Sequence, residues 1–414
     1  MSQDKFLSNK RALLASPGTM YNDLYYSVIN ASTSLVETTY MNSKNYQSLP
    51  SVQFNSSSSI NLQNENFIDR VYLHLVLPAV VANQTLCRGW GYHCIREISW
   101  LMGSSSSVFT LEGESILNLL LNEADDQDSK NELLRLGGEE HLTTTSGTIE
   151  ATVMIPLPFS SLCMERLGFP TDLLSSNVQV TIKFKDASSI YGGIGARPTA
   201  FNQAILSYRE GVLTDKAMSL RYEMMANPQL LYSYPFIFSR QLSKRFTGST
   251  TTDVQIQLDG FLNSDLLGII FYCVKESDIS PQSSLHPNPL NTDDIRDVSL
   301  LYNGNFLYRS FGSSWKLQNM LQLPGYVQNS INTSPNNTGP FTSEPKNSYI
   351  CNIDFTRLKA VCQPKHMFNT FRVANQVLNL RFKTTTTDTY TIYATYLYNG
   401  IIQVQAGVSE VYFD

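Results

Sequence analysis

The sequence predicts an all-β chain built as two tandem sandwiches of like topology, with a few short helices inserted. Strand-forming runs recur every 8–20 residues, helical patterns are scarce, and one stretch returns about 200 residues further along. Each of these is a physical statement about which faces the chain can bury.

The strand runs include "DRVYLHLVLPAV" (69–80), "IEATVMIPLPF" (149–159), "NVQVTIKFK" (177–185), "TDVQIQLDGF" (252–261) and "QVLNLRFK" (376–383). All are rich in Val, Ile, Tyr or Phe, alternate apolar and polar positions, and end in turn residues. The helical runs are "GESILNLLLNEA" (113–124), "SKNELLRLG" (129–137), "TDKAMSLRYEMMANP" (214–228), which stops at Pro228, and "SWKLQNMLQL" (314–323). No regular strand–helix alternation is present, so a parallel sheet is excluded.

The repeat pairs "IREISWL" (95–101) with "IRDVSLL" (295–301), where four of seven positions are identical. Two further positions are Glu/Asp and Ile/Val exchanges. "NVQVTIKFK" (177–185) then aligns with "NQVLNLRFK" (375–383), and "ILSYREGVL" (205–213) faces "TYLYNGIIQ" (395–403). A helix-like run follows the first pair in both halves. Collinear matches of this kind mark a duplicated domain. The division expected is an N-terminal segment over 1–45, a first jelly roll over 46–213, a helical linker over 214–228 and a second jelly roll over 229–414. A sandwich of about eight strands with helices between some of them is what a jelly roll requires. On this reading "YTIYATYLYNGIIQVQAGVSEVYF" (390–413) supplies the closing strands of the second unit.

Composition narrows the function. Charged residues make up 16% of the chain, well below the roughly one quarter of ordinary domains. Ser, Thr, Asn, Gln and Tyr replace them, which gives an uncharged polar surface suited to extensive protein contacts. The net charge is −5 and no Lys/Arg run exceeds two residues, so direct nucleic-acid binding is not expected. The N-terminus lacks the apolar core of a signal peptide, and "LLGIIFYCV" (266–274) is too short to span a bilayer. Six cysteines spread over 414 residues read as reduced thiols of a cytosolic chain.

No enzymatic site is expected. The sequence holds no G-x-S-x-G, no H-E-x-x-H and no Walker loop. "YGGIGARP" (191–198) is glycine-rich but lies between strands, so it reads as a loop rather than a phosphate cradle. Cys87, His93 and Cys94 lie close together, but the nearest further ligands, His74 and His141, sit in other elements. A zinc site needs paired ligands, so Cys94 reads as a small apolar core group. The acids of "EADDQD" (123–128) and "GEEH" (138–141) read as solvated surface. No catalytic residue, cofactor or metal is therefore assigned.

Taken in order, "GYHCIREISWLMGSSSSVFTLEG", "ATVMIPLPF", "GFPTDLLSSNVQVTIKF", "VSLLYNGNFLYRS", "NTFRVANQVLNLRF" and the closing "YTIYATYLYNGIIQVQAGVSEVYF" resemble the double jelly-roll major capsid proteins. These build the shells of nucleocytoplasmic large DNA viruses, virophages, polinton-like viruses and tailless icosahedral phages. The resemblance covers about residues 45–414, and its signal is the order and spacing of the segments. Ser-Ser follows "PLPF" where large-virus relatives carry aromatics, which points to a smaller or divergent virus. The resemblance implies a structural protein of the virion, assembled in the host cytoplasm or nucleus. Homotrimers with a pseudo-hexagonal outline would tile an icosahedral shell beside neighbouring capsomers and minor capsid or penton proteins. It also implies that the loops 277–293 and 329–348, rich in Pro, Ser, Asn and Thr, rise on the outer surface. Residues 1–20, where Phe6, Leu7, Leu13 and Leu14 fall on one side beside Lys10 and Arg11, would face inward toward a membrane or a protein layer. The alternative is a carbohydrate-binding β-sandwich, such as a phage fibre or lectin-like adhesin. Its mark would be an aromatic platform with nearby acids, and Trp90, Trp100 and Trp315 do not form one in the sequence.

Overall fold

The structure is a computed structural model. It describes residues 41–50, 52–62, 67–80, 84–86, 89–101, 109–123, 127–138, 149–156, 178–193, 195–211, 231–247, 253–257, 265–275, 295–309, 350–354, 368–369, 376–382, 387, 389–405 and 408–413. The expected helices at 214–228 and 314–323, the loops 277–293 and 329–348, and residues 1–20 lie outside these.

The first half runs β1 (Met41–Ser48), β2 (Ser57–Leu62), β3 (Phe67–Leu77), β4 (Gln84–Leu86), α1 (Trp90–His93), β5 (Ile95–Leu101), β6 (Phe109–Leu111), α2 (Gly113–Glu123), α3 (Gln127–Leu136), β7 (Ile149–Ile155), β8 (Val178–Phe184), β9 (Tyr191–Gly193) and β10 (Gln203–Gly211). The second half runs β11 (Leu231–Thr247), β12 (Asp253–Gln257), β13 (Asp265–Lys275), β14 (Ile295–Tyr302), β15 (Asn305–Arg309), β16 (Ile350–Asp354), β17 (Phe368–Asn369), β18 (Gln376–Phe382), β19 (Thr389–Gln405) and β20 (Val408–Phe413).

Among the described residues each half contributes two main antiparallel sheets; the first half adds the pair β4-β9, and in the second half β17 joins β13 and β20 joins β19. The first half has the orders β1-β10-β3-β7 and β2-β8-β5-β6; the second has β11-β19-β13-β16 and β12-β18-β14-β15. Matched strand for strand, the two halves have the same order. This is the eight-stranded jelly roll, twice, and the chain is all-β with short helices between strands.

The duplication extends to register. In the first half Ile95 pairs with Phe184, a bulge intervenes, and Glu97 then pairs with Lys183. In the second half Ile295 pairs with Phe382, a bulge intervenes, and Asp297 pairs with Arg381. These are the positions that the sequence repeat aligns. A bulge inserts an extra residue and turns the strand, so the repeated sequence carries a repeated bend.

Alternation sets what each sheet buries. β8 alternates buried and half-buried positions throughout, with Val178, Val180, Ile182 and Phe184 inward. In β18, Leu378, Leu380 and Phe382 do the same. Aromatic clusters close corresponding places in the two cores. Phe184 meets Phe201 at 4.8 Å, and Phe201 stacks on Phe54 at 4.3 Å. Phe382 meets Tyr390 at 5.3 Å, and Tyr390 stacks on Phe246 at 5.5 Å. Ile182 and Leu380 occupy equivalent central positions. Ile182→Ala and Leu380→Ala should each cost about 2–5 kcal/mol, the range for emptying a packed core site. Chemical denaturation followed by fluorescence reads both losses; a cost below about 1 kcal/mol at either site would contradict the equivalence.

Candidate assembly surfaces

Three surfaces follow from this architecture: the outer faces of the two sheet types, and the seam between the halves.

The outer face of β2-β8-β5-β6 is a ladder of uncharged groups. Ser59 and Thr181 hydroxyls meet at 2.8 Å, and Gln179 Nε2 donates to Asn61 Oδ1 at 3.2 Å. One ion pair, Lys183 Nζ to Glu97 at 3.0 Å, closes the ladder at one end. Hydroxyls and amides can exchange water for a protein partner at low cost, whereas stranded charges cannot.

The outer face of β1-β10-β3-β7 is more apolar. Tyr72, Val76, Met154 and Ile205 are partly exposed there. His74 lies among them, with Nδ1 3.1 Å from Thr152 Oγ1 and Nε2 2.8 Å from Ser207 Oγ.

The seam is built by the helices inserted after β6. Ser115, at the start of α2, places its hydroxyl 3.3 Å from the Thr395 hydroxyl of β19. Both residues are buried, and β6 lies along β11. Beneath this contact sits a charged cluster. The Glu114 carboxylate, fully buried, pairs with the Lys185 ammonium and lies 3.4 Å from His93 Nδ1. Burial alone would raise the Glu114 carboxyl, but the Lys185 charge and the contacts with His93 outweigh it and hold it below the usual carboxylate value. Tyr393 of β19 is pushed up, first by burial and then by the charge of Glu112.

α1 is held against α3 by glycine. Gly89 N–H donates to Gly138 carbonyl at 2.7 Å and Gly91 N–H to Gly137 carbonyl at 2.8 Å. Gly138, at φ +115°, lets the Trp90 ring lie where a Cβ would sit 2.3 Å from its Nε1.

The cysteines and histidines that lie close in the sequence do not converge among the described residues. His93 faces Glu114, Cys94 donates its thiol to the Gly91 carbonyl at 3.1 Å, and His74 lies on another sheet. Burial pushes the Cys94 thiol up. Cys87 and His141 lie outside the described residues. Among the described residues, no group of three His, Cys, Asp or Glu is placed to hold a metal ion. "YGGIGARP" places Tyr191–Gly193 in β9, paired with β4, and Gln84 Nε2 donates to Ala196 carbonyl at 2.8 Å. The strand β10, rather than a helix, follows this glycine-rich loop. No described helix is long and apolar enough to cross a membrane.

The fold is shared with solved capsid proteins. VP54 of PBCV-1, fitted into a reconstruction of the virophage Sputnik, superposes with a TM-score of 0.64 at 13% identity, over 92% of this chain and 98% of that one. The Faustovirus major capsid protein gives 0.63 at 9% identity, over 93% and 98%. A chain of the Sputnik virophage gives 0.54 at 12% identity, over 91% and 90%. The likeness shows a double jelly-roll fold across nearly the whole chain. No protein-family model matches it, and no curated protein matches it by sequence.

Proposed function

We propose that this chain is a structural protein: the major capsid protein of an icosahedral virus shell, without a catalytic role. The observation that carries this reading is the duplicated jelly roll with one strand order in both halves. Two like units side by side, repeated around a three-fold axis, give six barrels and a nearly hexagonal block that tiles a flat facet. The division into 46–213 and 229–414, joined by 214–228, is part of this proposal, with β1 carrying the first unit back to Met41. The apolar outer face around Tyr72, Val76, Met154 and Ile205 joins chains within a trimer. The hydroxyl and amide ladder of the first half joins trimers to each other, a role for which weak polar contacts suit reversible assembly. Residues 1–20 act on the inner side, against a bilayer or a minor capsid protein.

Sedimentation equilibrium tests the reading: the species should have three times the 46.5 kDa chain mass. A chain lacking residues 1–20 should give the same trimer yet fail to form shells by electron microscopy. A monodisperse monomer of the full chain would sink the proposal.

A further inference from the structure

The outer face of β12-β18-β14-β15 departs from its counterpart in the first half, although the two sheets share order and register. In the first half the rows across the sheet read Ser57–Lys183–Glu97 and Ser59–Thr181–Ser99–Thr110. In the second half the corresponding rows read Asp253–Arg381–Asp297 and Gln255–Asn379–Ser299–Arg309. Ser99 and Ser299, the acids Glu97 and Asp297, and the bases Lys183 and Arg381 correspond. What differs is Asp253 for Ser57, Gln255 for Ser59, Asn379 for Thr181 and Arg309 for Thr110. A further row adds Leu301 beside Phe306.

These exchanges turn a flat hydroxyl ladder into a groove of about 150 Å³, lined by Asp253, Asp297, Ser299, Phe306, Arg309, Asn379 and Arg381. The Phe306 ring is 50% exposed, and the Arg309 guanidinium lies 4.5 Å over it. The ring is held in place from the hairpin. Asn303 and Gly304, at φ +49° and +80°, form a two-residue turn with both central residues left-handed, and Tyr302 pairs directly with Asn305. A bulge between Leu300 and Leu301 brings Phe306 opposite Leu301, onto the outer face. Asn379 Oδ1, shielded from solvent, has no hydrogen-bond partner among the described residues.

We propose that this groove binds a neutral saccharide. The two acids and two guanidinium groups balance, so the groove carries no net charge to select an ionic ligand. Carboxylates accept from sugar hydroxyls and guanidinium groups donate to them, and a hydroxyl can serve both in one pose. The Asn379 amide adds an acceptor still unmet. The free area of Phe306 gives the apolar face of a sugar ring a surface to stack on. The volume suits one ring, so further units of a chain would lie along the sheet. The site belongs to the second half and does not depend on the assembly proposed above.

A glycan array carrying neutral and sialylated oligosaccharides tests this on the full-length protein. Wild type should bind neutral glycans. Phe306→Ala should weaken that binding about tenfold or more, as for a central aromatic anchor. Asn379→Ala should weaken it less, and Ser59→Ala, on the corresponding face of the first half, should leave it unchanged. Thermal unfolding midpoints near wild type would show the variants folded. No binding, binding to sialylated glycans alone, or binding that survives Phe306→Ala would overturn the proposal. So would a Phe306→Ala protein whose sedimentation shows lost self-association while the wild type binds no glycan, because that would assign the face to contacts between copies.

Discussion

Lys185→Met should destabilise the chain by about 3–5 kcal/mol, because it removes the ammonium partner of a fully buried carboxylate. Glu114, fully buried in the first turn of α2, has no exposed surface through which water could replace that partner. Adding Glu114→Gln to Lys185→Met should recover much of the loss, since the double variant buries no stranded charge. A double variant as unstable as the single one would show that the cost comes from packing instead. The same cluster predicts an acid limit. The Glu114 carboxyl lies below its ordinary 4.5 in the folded chain. Its contribution is therefore complete above about pH 4.5 and is lost as the pH falls through the lower folded-state value. Unfolding midpoints measured across that range should drop in the wild type, and drop less in the double variant.

Gly113→Ala should be nearly as damaging. A Cβ there would stand 1.9 Å from the Tyr92 carbonyl oxygen and 3.0 Å from Ile95 Cβ. A backbone carbonyl held by neighbouring structure cannot give way as a side chain can. The helix must shift instead, taking with it the Ser115 contact to Thr395. The expected loss is about 3 kcal/mol, at the upper end for overpacking. Gly304→Ala is the control. Gly304 has φ +80° but open space around it, so only the left-handed conformation is penalised, at about 1 kcal/mol. Equal losses at the two glycines, read by thermal unfolding, would contradict this account.

The repeat was legible because a strand in a sandwich must alternate, and both halves alternate in phase. Ile95 and Ile295, Glu97 and Asp297, and Lys183 and Arg381 carry the alternation and the bulge together. The two helices after β6 were legible from their apolar spacing, within about two residues at each end. The turn Trp90–His93 was not. It is four residues long and rests on Gly137 and Gly138, far along the chain. Nor was the pairing of β4 with β9, each only three residues long. The Ser115–Thr395 contact joins residues 280 apart, and no local pattern marks it. Phe306 was hidden for another reason. An aromatic in an alternating strand reads as core, and only the bulge in the hairpin puts it outside. The tryptophans Trp90 and Trp100 offer no aromatic platform, since both are buried.

The ribbon of β11 and β19 carries one further consequence. The two strands are each 17 residues long and pair without interruption from Leu231–Gln405 to Thr247–Thr389. At roughly 3.4 Å per residue this is a beam of about 55 Å. β13 flanks one stretch of β19 and β20 the other, so the beam is braced along both parts of its length. A force along the strands loads these hydrogen bonds together, in shear, whereas a force across them would open the ladder one rung at a time. The second half is thus stiffest along its strands, the direction in which an internally pressurised container would need its wall blocks to resist bending if those strands stood across the wall.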